Sequence, residues 1–140
     1  MVCIYCSNET RVTNSRHQKR TNGVWRRRTC VVCGTTFTTR EEIDLTGSIT
    51  VKSQKQLEAF QRDKLFMSIF DSLRHRKTAL EDATALTDTI ISRLYPFMKD
   101  VIIDRTHIIE VTLQSLRQFD KAAATHYEAF HPTAGKPTRR

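Results

Sequence analysis

Cys3-x-x-Cys6 and Cys30-x-x-Cys33 hold all four cysteines of the 140-residue chain. Two residues between paired thiols let both sulfurs reach one ion, and two such pairs form a tetrahedral thiolate site suited to Zn2+. The 23 residues between the pairs are somewhat more than the generic spacing, and a hairpin accommodates them. A site of four cysteines is closed, so the metal has a folding role and leaves no position for water or substrate. The bland alternative is a pair of thiol redox motifs or incidental cysteines. It does not explain how a segment of about 40 residues folds without another source of a core.

Charge is divided as unevenly as cysteine. The chain carries 23 Lys and Arg against 15 Asp and Glu, a net +8. Residues 1–40 hold eight basic residues and one acid, Glu9, so they account for +7 of it. A basic cysteine-knuckled module is therefore followed by a larger, nearly neutral one. An excess of this sign, with a pI of about 9.7, suits a polyanionic partner, most simply nucleic acid. Arg26-Arg27-Arg28, with Arg16 in the same module, can contact phosphates and grip guanine edges. The competing reading is a solvated charge run. Trp25 either stacks on a base or sugar or covers one face of the ribbon. MVCIYCSNETR lacks the apolar stretch of a signal peptide, and no window suits a membrane span. We expect a cytoplasmic location with reduced thiols and no membrane partner.

The elements that must position these residues follow from periodicity. Gly23–Cys30 reads as a strand with Val24, Arg26 and Arg28 on one face and Trp25, Arg27 and Thr29 on the other. Cys33-Gly34 closes a turn, and residues 35–39 return as a second strand. Residues 41–48 read as a connector. A hairpin around Ser53–Gln56 joins strands at Ile49–Lys52 and Leu57–Phe60. A helix over 62–75 carries Leu65, Phe66, Ile69, Phe70 and Leu73. A second starts at Thr78, where Thr78 and Glu81 match a capping box. Its apolar stripe includes Leu80, Ala83, Leu86 or Thr87, Ile90, Ile91 and Leu94, and Pro96 ends it. Val101–Ile103 is a third short strand. Asp104 caps a helix bearing Ile108, Ile109, Thr112, Leu113, Leu116 and Phe119, and residues 120–130 form a last helix. The fold class is α+β. The domains are a zinc ribbon over 1–42, a linker at 43–48, a mainly helical domain with a small sheet over 49–130, and a disordered basic tail over 131–140.

Cys3-x-x-Cys6, Asn14-Ser15-Arg16, and Gly23-x-x-Arg26-Arg27-Arg28-x-Cys30-x-x-Cys33-x-x-x-Phe37-Thr38-Thr39-x-Glu41 resemble the zinc ribbon of the NrdR family. These are bacterial transcriptional repressors of ribonucleotide reductase genes. Val51-Lys52 and Glu58-x-Phe60-x-x-x-Lys64-Leu65 resemble the ATP-cone that follows the ribbon in that family. The resemblance covers about residues 1–130. It implies that ATP or dATP binds the cone and sets a homo-oligomeric assembly. That assembly presents the ribbons to double-stranded operator boxes in the nucleoid. The resemblance assigns nucleotide contacts to Val51, Lys52 and Lys64. The family's Lys-Arg-Asp-Gly hairpin is Lys52-Ser53-Gln54-Lys55 here, so Lys55 can supply phosphate charge and the turn is of another type. Arg40 replaces a common aromatic and adds a DNA contact to Arg16, Arg26, Arg27 and Arg28.

Two further readings compete. An enzyme is disfavoured because no room remains for a catalytic domain and His17, His75, His107, His126 and His131 are scattered without a paired acid and base. A ribbon and cone acting on RNA polymerase or a reductase, rather than on DNA, is the other.

Overall fold

The computed structural model describes residues 1–54 and 56–132, and these form two compact units, Met1–Ile43 and Asp44–Arg140. The architecture is α+β. The first unit is one antiparallel sheet in the order β1 (Thr10–Gln18), β2 (Gly23–Cys30), β3 (Thr36–Glu41). β2 occupies the span expected for it. Strand β1 has no counterpart among the expectations. Val12 is the one apolar residue in its sequence and all but its first residue are exposed, so no apolar alternation marks it. Pairing with β2 makes it a strand, and a bulge between Val12 and Asn14 interrupts the register.

The second unit opens with helix α1 (Leu45–Ser48), capped by the Asp44 carboxylate, which accepts from the Thr46 and Gly47 N–H groups. Residues 44–48 are therefore no linker, because Leu45 is buried in the core. Strand β4 (Thr50–Ser53) pairs antiparallel with β5 (Gln56–Ala59) and parallel with β6 (Ile102–Asp104), giving the order β5-β4-β6. Ser53 pairs with Gln56, so the hairpin turns in two residues, the first of which, Gln54, has φ of 35°.

Between the parallel strands run α2 (Arg62–Ser72) and α3 (Ala79–Leu94), the crossover that parallel pairing requires. α4 (Arg105–Phe119) and α5 (Lys121–Phe130) follow β6. Helix α2 stops three residues short of the expected span, and Leu73 beyond it is fully buried. The core joins Val51, Phe60, Ile69, Leu73, Ile90, Leu94, Ile103 and Leu116. Leu80, placed by periodicity on the stripe of α3, is 58% exposed, whereas Ala79 beside it and Ala83 are buried. The expected capping box is not formed either. The Thr78 hydroxyl donates to Asp82 at 2.7 Å and makes no cap bond. At α4 the Asp104 cap is made, with the Thr106 N–H donating at 2.9 Å. The residues at the start of the expected tail are ordered. His131 stacks on Tyr127 at 4.1 Å between centroids. Residues 133–140 lie outside the described residues.

One carboxylate ties three helix ends together. Asp120 accepts from the Ala123 N–H at the start of α5, from His75 Nε2 at 3.0 Å and from Arg76 Nη1 at 3.2 Å. Arg76 also donates to Asp82 at 2.8 Å and lies over the Phe119 ring. The Ala123 N–H first, then His75 and Arg76, hold the Asp120 carboxyl at about 2, below the ordinary 3.8. A depressed pKa stabilises the folded state above the unfolded value, and the contribution is lost as pH falls from about 4 toward 2. Asp120→Ala is expected to cost about 2–3 kcal/mol at neutral pH through the lost cap and ion pairs. Asp120→Asn, which keeps a capping oxygen, should cost less. Urea unfolding of both variants checks this, and an unchanged midpoint in the alanine variant would refute it.

Candidate functional site

The two cysteine pairs are built by the same local geometry. The Cys3 N–H donates to Asn8 O at 2.8 Å, and the Cys30 N–H donates to Thr35 O at 3.0 Å. Each knuckle turns on the residue after its second cysteine, Ser7 at φ 58° and Gly34 at φ 71°. The left-handed backbone explains the glycine at 34. Backbone N–H groups point at sulfur: Tyr5 N to Cys3 Sγ at 3.4 Å, and Val32 and Cys33 N to Cys30 Sγ at 3.4 and 3.5 Å.

The Cys33 and Val32 N–H groups favour the Cys30 thiolate, but burial and the neighbouring Cys6 and Cys33 sulfurs outweigh them and leave that thiol raised. The Thr35 hydroxyl, then the Thr35 backbone, holds the Cys33 thiol at about 6, well below the usual 9.0. Asn8 lowers Cys6 in the same direction.

All four sulfurs lie within 4.8 Å of one another, with Cys3–Cys33 at 3.7 Å and Cys6–Cys30 at 3.4 Å. A tetrahedral ion with zinc–sulfur bonds of about 2.3 Å sets sulfurs about 3.8 Å apart, so the donor set fits zinc. A disulfide, at about 2.05 Å between sulfurs, does not describe these contacts.

The sheet beside this site has two unlike faces. Register places Arg16, Trp25 and Arg40 abreast, then Asn14, Arg27 and Thr38, then Arg11, Thr29 and Thr36. These three rows hold four arginines and no carboxylate, and Glu42, just beyond β3, lies beside Gly23 at the end of the same face. Arg11, Arg16, Arg27 and Arg40 are all exposed.

The opposite face holds Val24 with Glu41, Arg26 with Thr39, and Arg28 with Phe37. Arg26 is paired with Glu41 at 2.9 Å, and Arg28 donates to Thr10 Oγ1 at 3.4 Å. The structure thus brings Arg16, Arg27 and Arg40 together and separates them from Arg26 and Arg28. Arg11 joins the first group; its strand was not foreseen, so neither was its alignment with Arg27.

In the second unit a cleft of about 110 Å3 lies between β5, α2, α4 and α5. Val51, Phe60, Leu65, Ile109 and Tyr127 make its apolar floor, and Glu58, Lys64, Arg105 and His131 its polar rim. Val51 and Lys64 are brought together here. Lys64 Nζ is held by both oxygens of Glu58, at 2.9 and 3.0 Å. Lys52 is exposed on the other face of β4 and does not line the cleft. Lys55 lies outside the described residues.

Arg105, which sequence reasoning missed, also lines a neighbouring cavity of about 150 Å3 with Ser53, Gln54 and Thr106. No local spacing links Arg105 to Lys64; the crossover joins them.

A family profile described as "Transcriptional repressor NrdR-like, N-terminal domain" matches residues 1–41. Relatives named transcriptional repressor NrdR match nearly the whole chain. That of Symbiobacterium thermophilum is 32% identical, over 94% of this chain and 87% of its own length. That of Anaplasma phagocytophilum is 34% identical, over 88% of this chain and 80% of its own. The chain belongs to the NrdR family of transcriptional repressors. That of Pelotomaculum thermopropionicum, at 31% identity, covers 94% of this chain and 79% of its own length. The NrdR zinc ribbon and the four-cysteine cluster thus coincide in the same residues. No helix among the described residues is long and apolar enough to cross a membrane.

Proposed function

We propose that this NrdR-family chain is a cytoplasmic, nucleoid-associated, non-enzymatic repressor. Its zinc ribbon binds operator boxes in duplex DNA upstream of ribonucleotide reductase genes. ATP or dATP in the second unit sets the homo-oligomeric state and so the DNA affinity. The observation that carries the DNA reading is the sheet face whose three paired rows hold four arginines and no carboxylate, braced by the cysteine site. Guanidinium groups so arranged meet phosphates and release counterions, which makes binding steeply salt-dependent.

The cleft supports the nucleotide reading. Its apolar floor suits a base, and its volume of about 110 Å3 leaves the phosphates on the rim with Lys64 and Arg105. Phosphate competes with Glu58 for Lys64, so binding exchanges one ion pair for another. A ligand that prefers one assembly shifts the population by its differential affinity and no more.

Two titrations test the proposal. Duplex DNA from upstream of the host's reductase genes should bind with an affinity that falls steeply with salt. Calorimetry should find ATP and dATP binding weakened about tenfold in Lys64→Ala, the loss of one charge-assisted bond. Unchanged nucleotide affinity in that variant would remove Lys64 from the site.

One observation favours a second reading, a module acting on RNA polymerase or a reductase. Ile4, Tyr5, Val31 and Val32 are 69, 68, 56 and 67% exposed at the two knuckle tips, an apolar surface suited to a protein partner. Absence of specific duplex binding would move the assignment there.

A further inference from the structure

Trp25 sits where an aromatic side chain has nothing apolar to cover. Its cross-strand neighbours on the sheet face are Arg16 and Arg40, and Arg27 follows two residues along the same strand. The other strand aromatic of the ribbon, Phe37, belongs to the opposite face, opposite Arg28. The hydrophobic core begins only at Leu45. Beside the indole a cavity of about 270 Å3 is lined by Arg16, His17, Gln18 and Trp25. The face therefore presents a single apolar ring, half-buried, set among cations and next to open space.

A cationic face explains affinity for DNA of any sequence, since phosphates carry no sequence information. Where an arginine does read a base edge it reads guanine, which leaves selection of thymine unexplained. In an intact duplex the faces of the bases are stacked out of reach. The apolar group that base pairs display in the major groove is the C5-methyl of thymine, and that groove is wide enough for a β-ribbon.

We propose that Trp25 is a specificity-determining residue of the ribbon, receiving a thymine methyl in the major groove while Arg16 and Arg40 on either side hold flanking phosphates. This rests on the DNA reading given above. It divides the labour on one face: the arginines set affinity and salt dependence, and the indole sets the preference for thymine.

The full zinc-loaded chain is used to enrich a random-sequence duplex library, and each thymine of the enriched site is then replaced in turn by deoxyuridine, which lacks only the methyl. The wild type should lose about tenfold in affinity at one thymine. Trp25→Ala should bind the original site about tenfold more weakly, be indifferent to that replacement, and keep its affinity for random duplex and its zinc content. Trp25→Phe, which keeps an apolar ring, should retain part of the methyl dependence. Trp25 is the chain's one tryptophan, so its emission reports the contact directly. The enriched duplex should change that emission more than its deoxyuridine form does. The same thymine dependence in Trp25→Ala, or equal losses on specific and random DNA, overturns the inference alone. A wild type that enriches no sequence overturns the operator reading and the inference with it.

Discussion

Chelating the zinc is expected to unfold residues 1–43 and leave the second unit folded. In the ribbon the buried hydrophobic side chains are those of Cys3 and Cys30, with Thr10 the buried polar one, whereas the core cluster runs from Leu45 to Tyr127. A segment of this size with no apolar core takes its folding free energy from the metal, about 10 kcal/mol or more in small zinc modules. Cys30→Ser, which removes a buried thiolate ligand, should have the same outcome as chelation. Trp25 emission should shift to that of an exposed indole, DNA binding should vanish, and the helical circular dichroism and its melting transition should persist. Retention of DNA binding by the chelated protein would contradict the assigned role of the cysteines. Acid should act in the same direction through protonation of the thiolates. The lowered Cys33 and Cys6 thiols delay that loss, and the raised Cys30 thiol works against them.

The second large effect separates the two sheet faces. Replacing Arg16, Arg27 and Arg40 together by alanine is expected to lower duplex affinity by at least about a hundredfold and to reduce the slope of log K against log salt by about 3. These guanidinium groups share one exposed face without an opposing carboxylate. Arg26→Ala should cost less than about threefold, because its charge is already matched by Glu41 on the other face. Nucleotide binding should be untouched in both variants, since the cleft residues belong to the second unit. Equal losses from the two substitutions would show that net charge, rather than the face, governs binding. Gel-shift titrations at several salt concentrations read all of these quantities.

What was legible in the sequence depended on how local its cause is. The cysteine knuckles were legible because two-residue spacing is itself the chelate geometry. Strand β2 and helices α3 and α4 were legible because period two and period 3.6 are local patterns. Asp104 was readable as a cap from its position alone. Strand β1 was not readable, since its side chains face solvent and only pairing with β2 specifies it.

The same limit applied to the DNA candidates. Alternation along β2 divided Arg26 and Arg28 from Arg27, but which of them joins Arg16 and Arg40 depends on cross-strand register. Leu80 fitted the stripe of α3 and yet is exposed beside the buried Ala79, because periodicity gives direction and not which part of the stripe a neighbouring element covers. The segment at 43–48 looked like a connector by composition, and the burial of Leu45 draws it into the second unit. In the cleft, Lys64 and Arg105 are distant in sequence and meet only through the crossover from β4 to β6.

The central claim is that nucleotide in the second unit controls DNA binding by the ribbon. It is tested most directly by duplex DNA binding of the full-length zinc-loaded protein at one fixed salt. The arms are no nucleotide, ATP alone, and dATP with ATP, each with the region upstream of the host's reductase genes and an unrelated fragment. The account predicts specific binding that switches on with dATP and is weak with ATP alone, together with a change in oligomeric mass between those conditions. Specific binding of equal strength in all three arms would contradict it, leaving a DNA-binding ribbon uncoupled from its cone.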